Sequence, residues 1–325
     1  MKSTRREGWS HIYLGLMLVV TLSASAVQAG VPGKFWVGQE PEQVWTGEAL
    51  MPEMSGYLDR PVEESLKIED NIYTFRRGNH RTMFVVTDEG VIVMDPMKPA
   101  IADRMYEVIR GITDKPIKYM IYSHNHWDHA RGGRVFKDAG AVVIAHELTA
   151  QVLEDWPNEE VVPPDLAWSG DTYKISLGGV DLELHYFGEN HGEGLTFFYF
   201  PQRKLVHIID VVSPNRLPPG VPADFKPKGI VDSLSQSLEL DFERVIPAHT
   251  PYDVAPRATV SEMVEYWTIL RGIAKETFAK MGDDVPPWFI VPRVNVVEKY
   301  KHWDYFEQFH MGNAARCIFE LYLGY

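Results

Sequence analysis

"IKYMIYSHNHWDHARGG", residues 117–133, runs an apolar strand straight into a knot of donor side chains. Ile117 to Ser123 reads as a strand. Immediately after its apolar part come His124, His126, Asp128 and His129, all within six positions. A solvated loop rarely needs such crowding, whereas imidazole and carboxylate are the ligands of zinc and similar borderline metals. In an extended loop His124 and His126 point to one side, and Asp128 and His129 turn toward a second point nearby. One tetrahedral ion needs three or four ligands, so this density, with more donors downstream, suggests two ions sharing a pocket.

The downstream donors sit in the same kind of place. His191 follows "LELHYFGEN", Asp210 ends "KLVHIID", His249 ends "RVIPAH" and Asp95 ends "VIVMD". Each follows a predicted strand. Strand ends gathered along one sheet edge are where α/β proteins tend to place metal and substrate sites.

Around these points the text alternates. "IEDNIYTFRR", "TMFVVTDEG" and "VIVMDP" are short β-branched or aromatic runs broken by turn residues. "AIADRMYEVIRGIT" has helical spacing, with Ile101, Met105, Val108 and Ile109 on one face. "AVVIA", "VDLELHYF", "LTFFYF", "KLVHIIDVV" and "RVIPAHT" read as strands, and "HELTAQVLEDW" as a helix. Strands interrupted by helices predict an α/β layered domain over residues 67–255. Beyond it, "ATVSEMVEYWTILRGIAKETFAKMG" predicts a long amphipathic helix, with Thr259 and Glu262 as a capping box and Gly282 as the stop. A Pro-containing link leads to a second helical stretch, Glu298 to Leu323, so residues 256–325 are expected to form a helical C-terminal extension of the same unit.

The chain begins like an exported protein. Lys2, Arg5 and Arg6 precede the apolar run Ile12–Leu22, and "SASAVQAG" supplies the small residues of a cleavage site. Residues 1–29 are therefore expected to be a signal peptide cut after Ala29, and 30–66 an irregular N-terminal arm. The apolar run is shorter than the ~20 residues of an ordinary membrane span, so no stable span is expected once the signal is cleaved. An uncleaved anchor is the alternative. The formal charge of −13 argues against a general nucleic-acid binder, which needs basic faces, and favours a small-molecule substrate. The lone cysteine, Cys317, precludes an internal disulfide and lies in an apolar stretch, as a small core residue would. Oligomeric state is not legible.

Taken in order, "VIVMDP", "SHNHWDH", "GENHGEG", "HIIDVV" and "VIPAHT" resemble the motif series of the metallo-β-lactamase-fold superfamily, over roughly Ile68 to Ala255. The resemblance implies an αββα four-layer sandwich. It also implies that His124, His126 and His191 hold one metal, that Asp128, His129 and His249 hold the other, and that Asp210 bridges them. Asp95 would be a buried partner orienting the metal-binding loop. Asp128 would also serve the chemistry, by orienting the attacking water or passing a proton. This ligand set is similar to that of the hydrolytic branch, such as glyoxalase II-like enzymes and lactonases, with two divalent ions, zinc first among them. The β-lactamases proper usually lack the bridging Asp, and the diiron redox branch usually has Glu where His126 stands. "HGEG", beginning at His191, departs from the commoner turn after that histidine, at Glu193 and Gly194.

The expectation is thus an exported metal-dependent hydrolase of an ester, lactone, thioester or amide bond. An iron-dependent sulfur dioxygenase on the same fold, and a non-enzymatic metal- or cofactor-binding accessory protein, are the alternatives. Of the other histidines, His80 in "RGNHRTMF" is a candidate substrate-side residue. His146 could approach the site. His185 and His207 read as sheet residues, and His302 and His310 as parts of the helical region. Trp127 is either a pocket wall or packing. The loops expected to shape the pocket are residues 30–66, 155–170, 212–230 and 283–325.

Overall fold

The computed structural model describes residues 63–218, 224–282 and 284–324. The expected signal peptide, with its apolar run, and nearly all of the expected arm lie outside the described residues. Asp59–Tyr325 forms one compact unit. The first strand, β1 (Glu63–Glu69), opens ahead of Lys67, the expected domain start.

β1 pairs with β2 (Ile72–Arg77) across a turn at Asp70–Asn71, so "IEDNIYTFRR" is a hairpin rather than one strand. β3 (His80–Val86) and β4 (Val91–Met94) continue the antiparallel run. Helix α1 (Pro99–Ile112) then crosses over to β5 (Ile117–Ile121), which pairs parallel with β4. Short helices α2 (Trp127–Ala130) and α3 (Arg134–Asp138) lead to β6 (Val142–His146). Helix α4 (Glu147–Asp155) leads to β7 (Leu166–Trp168). The seven strands form one mixed sheet in chain order.

The second sheet holds β8 (Thr172–Leu177), β9 (Val180–Tyr186), β10 (Thr196–Phe200), β11 (Leu205–Ile208), β12 (Arg244–Pro247) and β13 (Ala255–Pro256). β11 and β12 pair parallel, with helix α5 (Pro227–Ser237) between them in the chain. β4, β10 and β11 are buried at every position, which two-sided cover requires: helices on one face and the partner sheet on the other. Against the first sheet, Ile101, Met105 and Ile109 of α1 pack into the core with Phe75, Phe84, Met120 and Phe136. Two mixed sheets with helices outside are the expected αββα sandwich.

The loop at 155–170 contains β7, and α5 starts inside the expected loop at 212–230. Helix α6 (Ala258–Met281) ends at Gly282 (φ 87°) as expected, but Thr259 does not cap it. Thr259 is buried inside the first turn. Arg257 sets the helix start instead: its guanidinium donates to the carbonyls of Leu238, Leu240 and Phe242. A short helix α7 (Pro287–Ile290) follows. The stretch from Glu298 is not one helix. It makes a single turn at Glu298–Tyr300, breaks at Tyr305 (φ 58°), and only then forms α8 (Phe306–Leu323). Cys317 is buried on α8, as a core residue. Among the described residues no helix is long and apolar enough to cross a membrane.

Candidate metal centre

β4, β5, β11 and β12 all end on one edge of the sandwich, and each delivers a donor there: Asp95, His124, Asp210 and His249. β3 runs antiparallel to β4, so its first residue, His80, lies on the same edge. The loop after β9 brings His191. Asp95 and Asp210 take left-handed backbone (φ 37° and 64°), a strain that non-glycine residues seldom carry away from functional sites.

Three overlapping groups of donors meet. His124, His126, His191 and Asp210 each offer one atom, all within 4.8 Å of one another. His129, Asp210 and His249 do the same, and so do His80, Asp128 and His249. Asp210 belongs to both of the first two groups. Its Oδ2 lies 3.3 Å from His124 Nε2, 3.2 Å from His191 Nε2 and 3.3 Å from His129 Nε2, while its Oδ1 lies 3.0 Å from His249 Nε2. Asp128 Oδ2 is 3.5 Å from His129 Nε2 and 3.3 Å from His249 Nε2.

These spacings fit a metal. Four ligands about 2.0–2.1 Å from a tetrahedral ion stand about 3.3–3.4 Å apart. His129 Nε2 and His249 Nε2 also face each other at 3.0 Å. His124 Nε2 and Asp210 Oδ1 are buried without a well-formed hydrogen bond, which is costly for polar atoms unless something else satisfies them. The protein can thus hold cations at both groups.

Asp95 organises the loop behind them. Its Oδ1 accepts from the Ser123 backbone N–H at 2.7 Å, and its Oδ2 from the Ser123 hydroxyl at 2.6 Å. The same carboxylate, itself buried, lies 3.1 Å from His129 Nδ1. Gly192 (φ 62°) lets the His191 loop pass close to the ligands: a Cβ there would stand 2.7 Å from His124 Cδ2. Glu193 and Gly194 do not disturb the cluster. The Glu193 N–H donates to Asn125 Oδ1 at 2.8 Å, and its carbonyl accepts from Thr149 Oγ1 at 2.6 Å.

The electrostatics follow from burial and close charge. Burial, with His126 alongside, pushes His124 down to about 3. Burial opposes charge on His129 and His249 as well, but the carboxylates of Asp210 and Asp128 outweigh it. They hold His129 well above its usual value and push His249 up to about 9. Burial works against ionised Asp210 and Asp128 too, yet the facing histidines keep both carboxyls well below the usual range.

Asp224 was not among the expected site residues. Its Oδ2 lies 2.5 Å from His126 Nε2 and accepts from the Gly192 N–H at 3.2 Å. It follows a Pro-rich stretch of sequence without a strand pattern, so nothing local marked it. The remaining described histidines stay out of the cluster. His146 accepts from the Leu148 N–H at the start of α4 and packs against Trp168 and Tyr186. His185 and His207 are buried sheet residues, and His310 stacks on Phe306. Trp127 is exposed rather than packed.

The sequence profile of the metallo-beta-lactamase superfamily matches residues 76–249. The chain belongs to this superfamily. The 2,4-dinitroanisole O-demethylase subunit alpha of Nocardioides sp. (strain JS1661) is 30% identical over 196 residues, 60% of this chain and 60% of that protein. The match therefore spans less than two thirds of that relative. Among solved structures, a metallo-beta-lactamase from Pontibacter korlensis superposes with TM-score 0.57 at 21% identity, over 64% of this chain and 99% of its own. The inverting sec-alkylsulfatase Pisa1 from Pseudomonas sp. superposes with TM-score 0.68 at 16% identity, over 81% of this chain and 51% of its own. These two structures share the superfamily fold.

Proposed function

We propose that this chain is a metal-dependent hydrolase of a small molecule, with two divalent ions, zinc first among them. The carrying observation is Asp210: one carboxylate reaches both histidine groups at 3.0–3.3 Å. His124, His126 and His191 would hold one ion, Asp128, His129 and His249 the other, and Asp210 both. When bound, such a pair supplies an activated water near neutral pH and stabilises developing negative charge. The chain's own part is to fix the donors and move protons. Asp95 and Ser123 hold the loop that carries the histidines. Asp128, partly exposed where the other ligands are mostly buried, is the group placed to receive a proton from the water and release it to solvent.

The scissile bond is taken to be an ester, lactone, thioester or amide. The name of the Nocardioides relative adds an activated aryl methyl ether to that class. Export, with cleavage after Ala29, belongs to the same reading. The −13 charge supports a small molecule over nucleic acid. The test is a panel of these substrates, including a nitroaryl methyl ether, offered to zinc-loaded protein with oxygen uptake followed in parallel. Turnover without oxygen consumption, lost in His126→Ala together with metal, is the expected result. Turnover that consumes oxygen, with iron as the bound metal, would move the assignment to the dioxygenase alternative. Metal retention with no turnover on any substrate would favour the accessory protein.

A further inference from the structure

We propose that His80 is an eighth metal donor, completing a five-donor site with Asp128, His129, Asp210 and His249. This rests on the two-metal reading and goes beyond the substrate-side role expected of His80. The hairpin between β2 and β3 fixes its place. Arg77 and His80 are register partners, joined by a tight turn through Gly78 (φ 61°) and Asn79. That turn puts His80 on the strand edge facing the second group of ligands.

One oxygen, Asp128 Oδ2, gathers its nitrogen with two other donors. His80 Nε2 lies 3.4 Å from Asp128 Oδ2. The same oxygen lies 3.3 Å from His249 Nε2 and 3.5 Å from His129 Nε2. The His80 spacing is therefore the spacing of the ligands themselves. A charge-assisted hydrogen bond from imidazole to carboxylate would be shorter, about 2.7–2.9 Å. The His80 and His249 rings meet edge-on, with centroids 4.8 Å apart. His80, Asp128 and His249 can each offer an atom within 4.8 Å of the others, as the histidines of the first site do.

The consequence is asymmetry. The first ion has four protein donors: His124, His126, His191 and Asp210. The second has five. Four donors suit tetrahedral zinc, while five favour an ion that accepts higher coordination, such as manganese or iron. The two positions then need not hold the same metal.

Cobalt(II) tests this, because its visible absorption weakens as coordination number rises, so the site with one more protein donor absorbs less strongly. The metal-free full chain is titrated with cobalt alone and followed by absorption and elemental analysis. The parent is expected to take two ions, one giving strong and one giving weak absorption. In His80→Ala the weakly absorbing site should bind about tenfold or more weaker and gain intensity, with the other unchanged. His80→Gln, which keeps a polar side chain of similar length, should show the same loss if alanine disturbs β3. Two ions in the parent with both variants unchanged would overturn the His80 assignment alone, and a raised KM in those variants would return His80 to the substrate. A parent that takes fewer than two ions would overturn the two-metal reading and this assignment with it.

Discussion

Three imidazoles of the cluster have one ring nitrogen committed outward, and that commitment decides which nitrogen is free for a cation. The Ser123 hydroxyl donates to Asp95, so at 2.9 Å it accepts from His124 Nδ1–H and leaves Nε2 facing Asp210. His129 Nδ1–H points at Asp95, again leaving Nε2. His126 is the reverse: its Nε2–H donates to Asp224, which leaves Nδ1. A metal-ligating histidine is commonly oriented in this way by an outer carboxylate or carbonyl. Asp224→Ala should therefore lower metal affinity at the first site about 10- to 100-fold, with Asp224→Asn falling less because its amide oxygen can still accept from Nε2–H. Calorimetric titration of metal-free protein checks it; equal affinity in parent and Asp224→Ala would contradict the role. Seven donors and Asp95 were legible because each follows a strand or sits in the histidine cluster. Asp224 was not, because its ties to the cluster are tertiary, and it reaches His126 from 98 residues away.

Elements were legible where the hydrophobic period was clean. The amphipathic face of α1 and the mostly apolar, fully buried β10 and β11 needed no tertiary information. β8 was missed although its residues alternate between buried and exposed, and β7 is only three residues long, too short to carry a period. The capping box at Thr259 failed because a local motif competed with a tertiary anchor, Arg257, which holds three carbonyls from another segment. A similar anchor joins the C-terminal helices. Glu320 on α8 is buried; its Oε1 accepts from the Lys228 N–H at 2.8 Å, and its Oε2 from Arg271 Nε at 3.1 Å. Lys228 lies in the first turn of α5, where N–H groups have no helical partner and negative charge is favourable. Glu320→Ala removes the acceptor of both bonds and leaves the arginine poorly paired. Stability to denaturant should fall by about 2–4 kcal/mol, while metal content per folded chain stays at the parent value. Metal loss without a stability loss would show that Glu320 acts on the site instead.

For the whole molecule, the charges that make the cluster a metal site also make its metal-free state sensitive to pH. Without metal, His249 holds its proton up to about 9, whereas an unfolded histidine loses it near 6.5. Its contribution to stability is therefore complete below pH 6.5 and is lost as pH rises through about 9. Asp210 and Asp128 act in the opposite direction: their folded values are depressed, so their contribution is present above the ordinary carboxylate pKa and is lost only as pH falls toward those values. A cation at the second group must displace the protons held on His249 and His129, so its apparent affinity should climb about tenfold per pH unit for each proton displaced. Any ligand that binds only the folded state stabilises it in proportion to the logarithm of its concentration over Kd. The gap in Tm between metal-loaded and chelator-treated protein should then widen from pH 6.5 toward 9, from two sides at once. The metal-free protein loses the His249 contribution, and the loaded protein gains affinity. Thermal scans of both forms across that range, at fixed free metal, measure the gap directly. A constant gap would mean that metal binding releases no proton there, and the carboxylates would then not be holding His249 charged.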